Sequence, residues 1–203
     1  LATRTTLAQT PSDWPTRPIH FVLGYPTGGA TDGVARPLER LMQRELGQPI
    51  LFDYRPGAGA TIGATYVARA KPDGYTLHMT DSGPMTILPN GRQLPYDPLK
   101  DFDTITVAVQ APNVLVVPAN SPHQTVADVI AFEKKNPGKM TFASSGNGSS
   151  DHLTAELFWQ QSGTTGLHVP YKGGAPAITD LLGGQVDGSF QNVNAVVQNI
   201  KAG

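Results

Sequence analysis

The stretch Gly24-Tyr25-Pro26-Thr27-Gly28-Gly29-Ala30-Thr31-Asp32 constrains this chain more than any other. It follows an apolar run, Ile19-His20-Phe21-Val22-Leu23, whose β-branched and aromatic residues suit a strand. It precedes Val34, Leu38, Leu41, Met42 and Leu46, which recur at helical spacing. The order is strand, glycine-rich turn, helix. Gly28 and Gly29 free the backbone for positive φ and for close approach of a ligand. Thr31 or Asp32 is placed to cap the helix. The other N–H groups at the helix start point outward, with the positive end of the dipole behind them, and suit a carboxylate or phosphate. A single turn of this kind is also read as a packed βα connection, because glycine marks turns before it marks sites.

The same order repeats along the chain. The first helix spans about Thr31 to Leu46 and stops at Gly47, a good C′ residue; Pro37 inside it removes a hydrogen bond and bends the helix or delays its start. Pro49 to Tyr54 is a second strand, leading through Arg55-Pro56-Gly57-Ala58-Gly59-Ala60-Thr61-Ile62-Gly63 into a helix. A dinucleotide fingerprint needs a glycine where Ile62 stands and an acid closing the next strand, so this loop is read as small residues for close helix packing. Tyr75 to Thr80 is a third strand, ending at Asp81-Ser82-Gly83-Pro84. This alternation indicates an α/β domain with a mostly parallel sheet and ligands beyond the strand C-terminal ends. Loops 24–32 and 80–84 then share one edge, where Ser82 offers a hydroxyl or simply makes a turn.

Leu88 to Asp103 reads as a long connection. Thr104–Val109 and Asn113–Val117 read as extended strand carrying the chain into a second module. Thr125 caps a helix containing Val126, Val129, Ile130 and Phe132. Met140–Ala143 is a strand before the loop Ser144 to His152, and the next helix shows Leu153, Leu157 and Phe158 on one face. Leu167–Val169 is a strand before Pro170-Tyr171-Lys172-Gly173-Gly174-Ala175-Pro176, followed by a helix to Leu182, a strand at Val186–Phe190 and a last helix from Ala195. The boundaries are 14–108 for a first lobe, 109–203 for a second, and 1–13 for a leader or disordered segment. Three Gly and Ser/Thr loops, 27–31, 145–150 and 172–175, thus precede helices in two modules. Their recurrence suggests backbone N–H groups converging on one anion from two sides.

Composition narrows the function. The 203 residues are 39% hydrophobic and 15% charged, with a net charge of −1, which leaves no basic footprint for nucleic acid. No apolar run approaches the roughly 20 residues that span a membrane. Cysteine is absent, so disulfides and thiolate metal sites are excluded. His20, His78, His123, His152 and His168 lack metal-ligand spacing, and His152 reads as a polar group at a helix start. No Gly-x-Ser-x-Gly and no Gly-Lys-Ser/Thr occurs, and nothing calls for a cofactor. Leu7-Ala8-Gln9-Thr10 is compatible with the tail of a cleaved export signal, an expression remnant or a disordered leader.

Taken together, the ordered motifs resemble the Bug family, the periplasmic TctC-like solute-binding receptors of tripartite tricarboxylate transporters. The resemblance rests on Trp14-Pro15, Pro18-Ile19, Gly28-Gly29-Ala30-Thr31-Asp32, Arg55-Pro56-Gly57-Ala58-Gly59 and Pro72-Asp73-Gly74-Tyr75. It continues through Asp101-Phe102, the glycine–serine loop before His152-Leu153, Pro170-Tyr171-Lys172-Gly173-Gly174 and Gly184-Gln185-Val186-Asp187. It implies a two-lobe, periplasmic-binding-protein type II-like α/β fold, joined by crossing strands and closing over a small organic carboxylate, with no chemistry. It implies ligand contacts from Thr27, Gly28, Gly29 and Asp32, from Ser145, Gly148, Ser149 and Ser150, and from Tyr171, Gly173, Gly174 and Ala175. Asp32 is alternatively a helix cap, and Tyr171 a hinge or wall residue. The implied partners are membrane transporter subunits. Members of the family continue past the point matching Gly203 to finish the first lobe, so the chain is expected to be a fragment or to complete that lobe by self-association. Pro37 departs from the family's regular helix. The rival readings are an α/β enzyme acting on a carboxylated or phosphorylated metabolite, and a binding-incompetent piece of the receptor.

Overall fold

The structure is a computed structural model that describes residues 13–202. Residues 1–12 of the expected leader lie outside the described residues.

Residues 19–79 build a three-stranded parallel sheet. Its strands are β1 (Ile19–Leu23), β2 (Ile50–Tyr54) and β3 (Thr76–Met79), in the order β2-β1-β3. α1 (Ala30–Leu46) and α2 (Thr61–Ala68) are the crossovers. The middle strand carries Ile19, Phe21 and Leu23 into a core with Ala35 of α1 and Ile50 of β2. α1 ends at Gly47, which takes the left-handed conformation and donates its N–H to the Gln43 carbonyl at 3.0 Å. The helix runs unbroken across Pro37, so the delayed start expected there does not occur. Pro37 and Gly33 both lie on the exposed side, so the Gly33 carbonyl, deprived of its usual donor, is left open to solvent.

The chain then forms a π-helical turn at Gly83–Ile87 and a short helix α3 (Leu88–Gly91) within the expected long connection. The strand expected at Thr104–Val109 is absent: residues 103–112 are irregular, and Ile105 and Val107 are 79% and 70% exposed. Alternation alone does not make a strand; a neighbour must supply the other half of the hydrogen-bond ladder. The boundary placed at 108/109 falls inside this irregular segment.

Residues 113–192 form the second sheet. Its strands are β4 (Asn113–Val116), β5 (Thr141–Ser144), β6 (Leu167–Pro170) and β7 (Gly188–Asn192), in the order β4-β7-β5-β6, with β4 antiparallel and the others parallel. Pro170 is tolerated in β6 because that strand is an edge. The helices are α4 (Val126–Lys135), α5 (Ser150–Ser162), α6 (Gly174–Leu182) and α7 (Val193–Ala202). Thr125 caps α4 in a reciprocal box with Asp128, as the sequence predicts. The inward face of α5 differs from the expected one. Ala155 and Trp159 are buried and Phe158 packs on the core, while Leu153 and Leu157 are exposed. Trp159 makes the difference: its indole stands edge-on to Phe142 and donates to the buried Glu133 carboxylate at 2.9 Å.

Phe142 is fully buried between Trp159 and Phe190. Replacing it with Ala removes a large side chain that the surrounding rings cannot refill. The expected loss is about 3–5 kcal/mol, read from urea unfolding followed by circular dichroism.

Candidate functional site

The C-terminal ends of β1, β2 and β3 release loops 24–29, 55–60 and 80–82. Those of β5 and β6 release loops 145–149 and 171–173. All five meet between the two lobes. A Cβ built on Gly29 would lie 3.9 Å from the Ala175 nitrogen, one on Gly173 2.7 Å from Pro26, and one on Gly59 3.2 Å from the Asn147 carbonyl. Gly83 and Gly148 approach each other in the same way. The Asn194 side-chain amide at the start of α7 donates to the Ala30 carbonyl at 3.1 Å, a further link between lobes.

Two of the helix starts at this junction carry their own acid. Asp32, in the first turn of α1, accepts from the Gly28 N–H at 3.0 Å. Neither Thr31 nor Asp32 serves as the expected N-cap: Gly29 holds that position with no side-chain cap. The Asp32 carboxylate also accepts from Arg36 Nε at 3.2 Å and from the Tyr54 hydroxyl. Burial pushes this carboxyl upward, but the Tyr54, Gly28 and Arg36 donors outweigh it and hold the group below its ordinary value. Burial, then the Asp32 carboxylate, pushes the Tyr54 phenol up to about 12. The second lobe repeats the pattern. Asp151, in the first turn of α5, accepts from the Ser145 N–H at 2.6 Å and its hydroxyl at 2.8 Å.

The starts of α2 and α6 carry no acid in their first turn. Among the described residues, the N–H groups of Gly174 and Ala175 have no hydrogen-bond partner. Gly57, Ala58, Gly59 and Ala60 lead into α2 with four successive positive φ angles of 125°, 50°, 67° and 67°. Ala58 and Ala60 hold that conformation at a cost of order 1–3 kcal/mol each, which the surrounding contacts must over-determine. These four residues form one wall of a cavity of about 210 Å³ between the lobes. Tyr25 and Arg92 complete the first-lobe side, and Ser145–Asn147 and Pro170–Lys172 form the other. Burial and the neighbouring Asp81 carboxylate push the Tyr25 hydroxyl well up.

The expected site residues divide accordingly. Ser145 and Tyr171 line the cavity. The Tyr171 hydroxyl donates to Asp180 at 2.6 Å, which holds the ring as a wall. Gly28, Gly29, Gly173, Gly174 and Ala175 sit where the lobes touch. Gly148 packs against Leu88 and donates to His152 Nδ1 at 3.2 Å. Ser149 caps α5 and donates to the Gly146 carbonyl, and Ser150 begins the helix. Thr27 is exposed, and Ser82 is an exposed residue before the π-helical turn. The Gly57–Ala60 wall and Arg92 were not foreseen. Packing does explain Gly63, which lies against Gly24, but the loop before it faces the cavity. The available signal was a glycine-rich helix start with no acid behind it.

His152 stands at a helix start, as the sequence suggests, but it also packs against another ring. It stacks on His168 with ring centroids 4.0 Å apart, and His168 Nε2 lies 2.6 Å from Ser144 Oγ. Burial, then the charge of His152, depresses His168 to about 4. Ser144 is 1% exposed, does not line the cavity, and also accepts from the Gly146 N–H at 3.1 Å.

Two α/β lobes with their strand C-terminal loops meeting over a cavity define the two-lobe fold of the type II periplasmic binding proteins. Residues 34–203 match the family described as "Tripartite tricarboxylate transporter family receptor", TctC, and the chain belongs to that family. It is 37% identical to Protein BugT of Bordetella pertussis over 195 residues, covering 94% of this chain and 59% of that protein. The solved structure of R. palustris Rpa4515 with adipate superimposes with a TM-score of 0.89 at 35% identity, covering 93% of this chain and 64% of the other. The periplasmic binding protein BugD gives 0.84 at 34% identity, covering 93% and 63%. The chain thus spans about three fifths of the length of these relatives.

The His168 environment predicts a pH dependence of stability. Unfolded His168 titrates near its ordinary value of 6.5, whereas the folded form resists protonation down to about 4. As pH falls through this window the unfolded chain binds a proton that the folded chain refuses, so stability falls. Urea midpoints measured between pH 7 and pH 4 should decline, and His168→Gln should flatten the decline.

Proposed function

We propose that this chain belongs to an extracytoplasmic receptor that captures a small organic carboxylate and presents it to the membrane subunits of a tripartite tricarboxylate transporter. The observation that carries this reading is the cavity between the lobes, bordered by the loops that enter α2 and α6. Each helix start carries a positive partial charge, and neither is neutralised by an acid of its own. A carboxylate between them accepts N–H bonds from both lobes, and charge-assisted bonds of this kind are the strong ones. The loops containing Thr27, Gly28 and Gly29, and Ser145, Tyr171 and Gly173 to Ala175, then form the rim across which the lobes hinge. The adipate held by Rpa4515 supports a carboxylate as ligand. Self-association is not part of this reading.

An enzyme is the second reading, and the contact between Ser144 and His168 is what favours it. Binding without conversion distinguishes the two. The chain is expected to be stabilised thermally by at least one member of a panel of mono- and dicarboxylic acids, each recovered unchanged after incubation. Turnover of the bound acid would favour the enzyme.

Gly173 tests the geometry. Its φ of +125° disfavours any side chain, and a Cβ there meets Pro26 at 2.7 Å. Gly173→Ala should weaken binding of the stabilising acid at least tenfold by isothermal titration, because the lobes can no longer approach; unchanged affinity would remove the closure argument.

A further inference from the structure

We infer that Arg92 and Lys172 form a two-lobe charge reader that selects ligands bearing a second negative group. The inference rests on the receptor reading of the cleft and goes beyond it, because helix starts alone hold one carboxylate and are indifferent to the other end of the molecule.

The chain as a whole carries a net charge of −1, yet the cavity lining contains Arg92 and Lys172 and no Asp or Glu. The acids that touch lining residues are already engaged. Asp81 accepts from the Tyr25 hydroxyl and the Gly83 N–H, Asp151 accepts from Ser145, and Asp180 accepts from the Tyr171 hydroxyl. Among the described residues neither Arg92 nor Lys172 pairs with a carboxylate; other surface cations such as Arg40, Arg69 and Lys71 are also unpaired, but Arg92 and Lys172 are the two that line the cavity. Arg92 is nevertheless held in place. It follows α3 directly, and its Nη2 donates to the Ala58 carbonyl at 2.9 Å, which ties the guanidinium to the loop that walls the cavity. Lys172 stands on the opposite wall, two residues before α6.

One cation therefore comes from each lobe. A dianion between the lobes meets the acid-free helix starts and both cations, whereas a monoanion of the same length uses only the helix starts. Arg92 offers a planar fork suited to a carboxylate, and Lys172 a compact charge on a flexible stem. Both side chains are exposed, so their attraction is moderated by solvent and weakened further by salt.

The test is isothermal titration of the full chain with adipate and glutarate, each against its monomethyl ester. The wild-type chain should prefer each diacid by about tenfold, the size of one charge-assisted contact. Arg92→Gln and Lys172→Gln should each reduce diacid affinity several-fold and leave the ester within about twofold, a margin below one such contact. Raising the salt concentration should shrink the diacid preference. Both residues are exposed, so the variants should melt with the wild type, and Arg92→Lys should recover part of the preference. An unchanged diacid-to-ester ratio in the Arg92→Gln/Lys172→Gln double variant would overturn the inference and leave the receptor reading intact, as would equal weakening of acid and ester. If the wild-type chain binds neither these acids nor their esters, while another carboxylic acid of the panel stabilises it, the inference alone falls. If no acid of the panel binds, the receptor reading falls with it.

Discussion

Like-signed helix ends gathered in one place repel, and the junction between the two lobes is organised around that repulsion. Strand C-terminal loops on both lobes deliver helix starts to a common gap, each bringing the positive end of a dipole. The chain neutralises two of them itself. Asp32 folds back on the Gly28 amide at the start of α1, and Asp151 folds back on Ser145 at the start of α5. Among those without an acid in the first turn are α2 in the first lobe and α6 and α7 in the second; α2 and α6 are the ones entered from the cavity walls. A cavity of about 210 Å³ lies against the loops that enter them. On the proposed reading, an anion between the lobes would relieve that repulsion.

The two internal acids also stiffen the loops they touch. In the first lobe the Asp32 carboxylate joins Gly28, Arg36 and Tyr54, so the turn after β1 is tied to the end of β2. In the second, Asp151 takes both donors of Ser145, and Ser149 closes on Gly146. Close backbone approach does the rest. Gly63 lies on Gly24, where a Cβ would crowd the backbone at 3.1 Å, and Gly173 lies on Pro26, where a Cβ would clash at 2.7 Å. Loops that would otherwise be mobile thus present their amides from a fixed frame, which lowers the ordering cost of binding.

Much of this was legible from residue order. Strand, glycine loop and helix can be read directly at 19–46 and 140–162, because apolar period and turn chemistry are local properties. The cap at Thr125 and the stop at Gly47 are local too. Apart from the cap and the start of α1, the failures involve distant partners. Thr104–Val109 has the pattern of a strand, but no strand lies beside it. Leu153 and Leu157 have the spacing of a buried face, but the bulk of Trp159 turns α5 the other way. The loop 57–60 reads as packing, and it became a cavity wall because β6 and its loop lie opposite. The family motifs named loops that the fold does bring close together, but they did not say which amides were already taken.

The sequence by itself determined the α/β alternation, the family, and the loops that stand at helix starts, since each follows from a short run of residues and its neighbours. Only the tertiary structure decided which helix starts are satisfied by their own aspartates and which are open. It alone placed Arg92 and Lys172 across one cavity. Charge compensation and cavity walls depend on distances between residues far apart in the chain, and no local pattern encodes a distance.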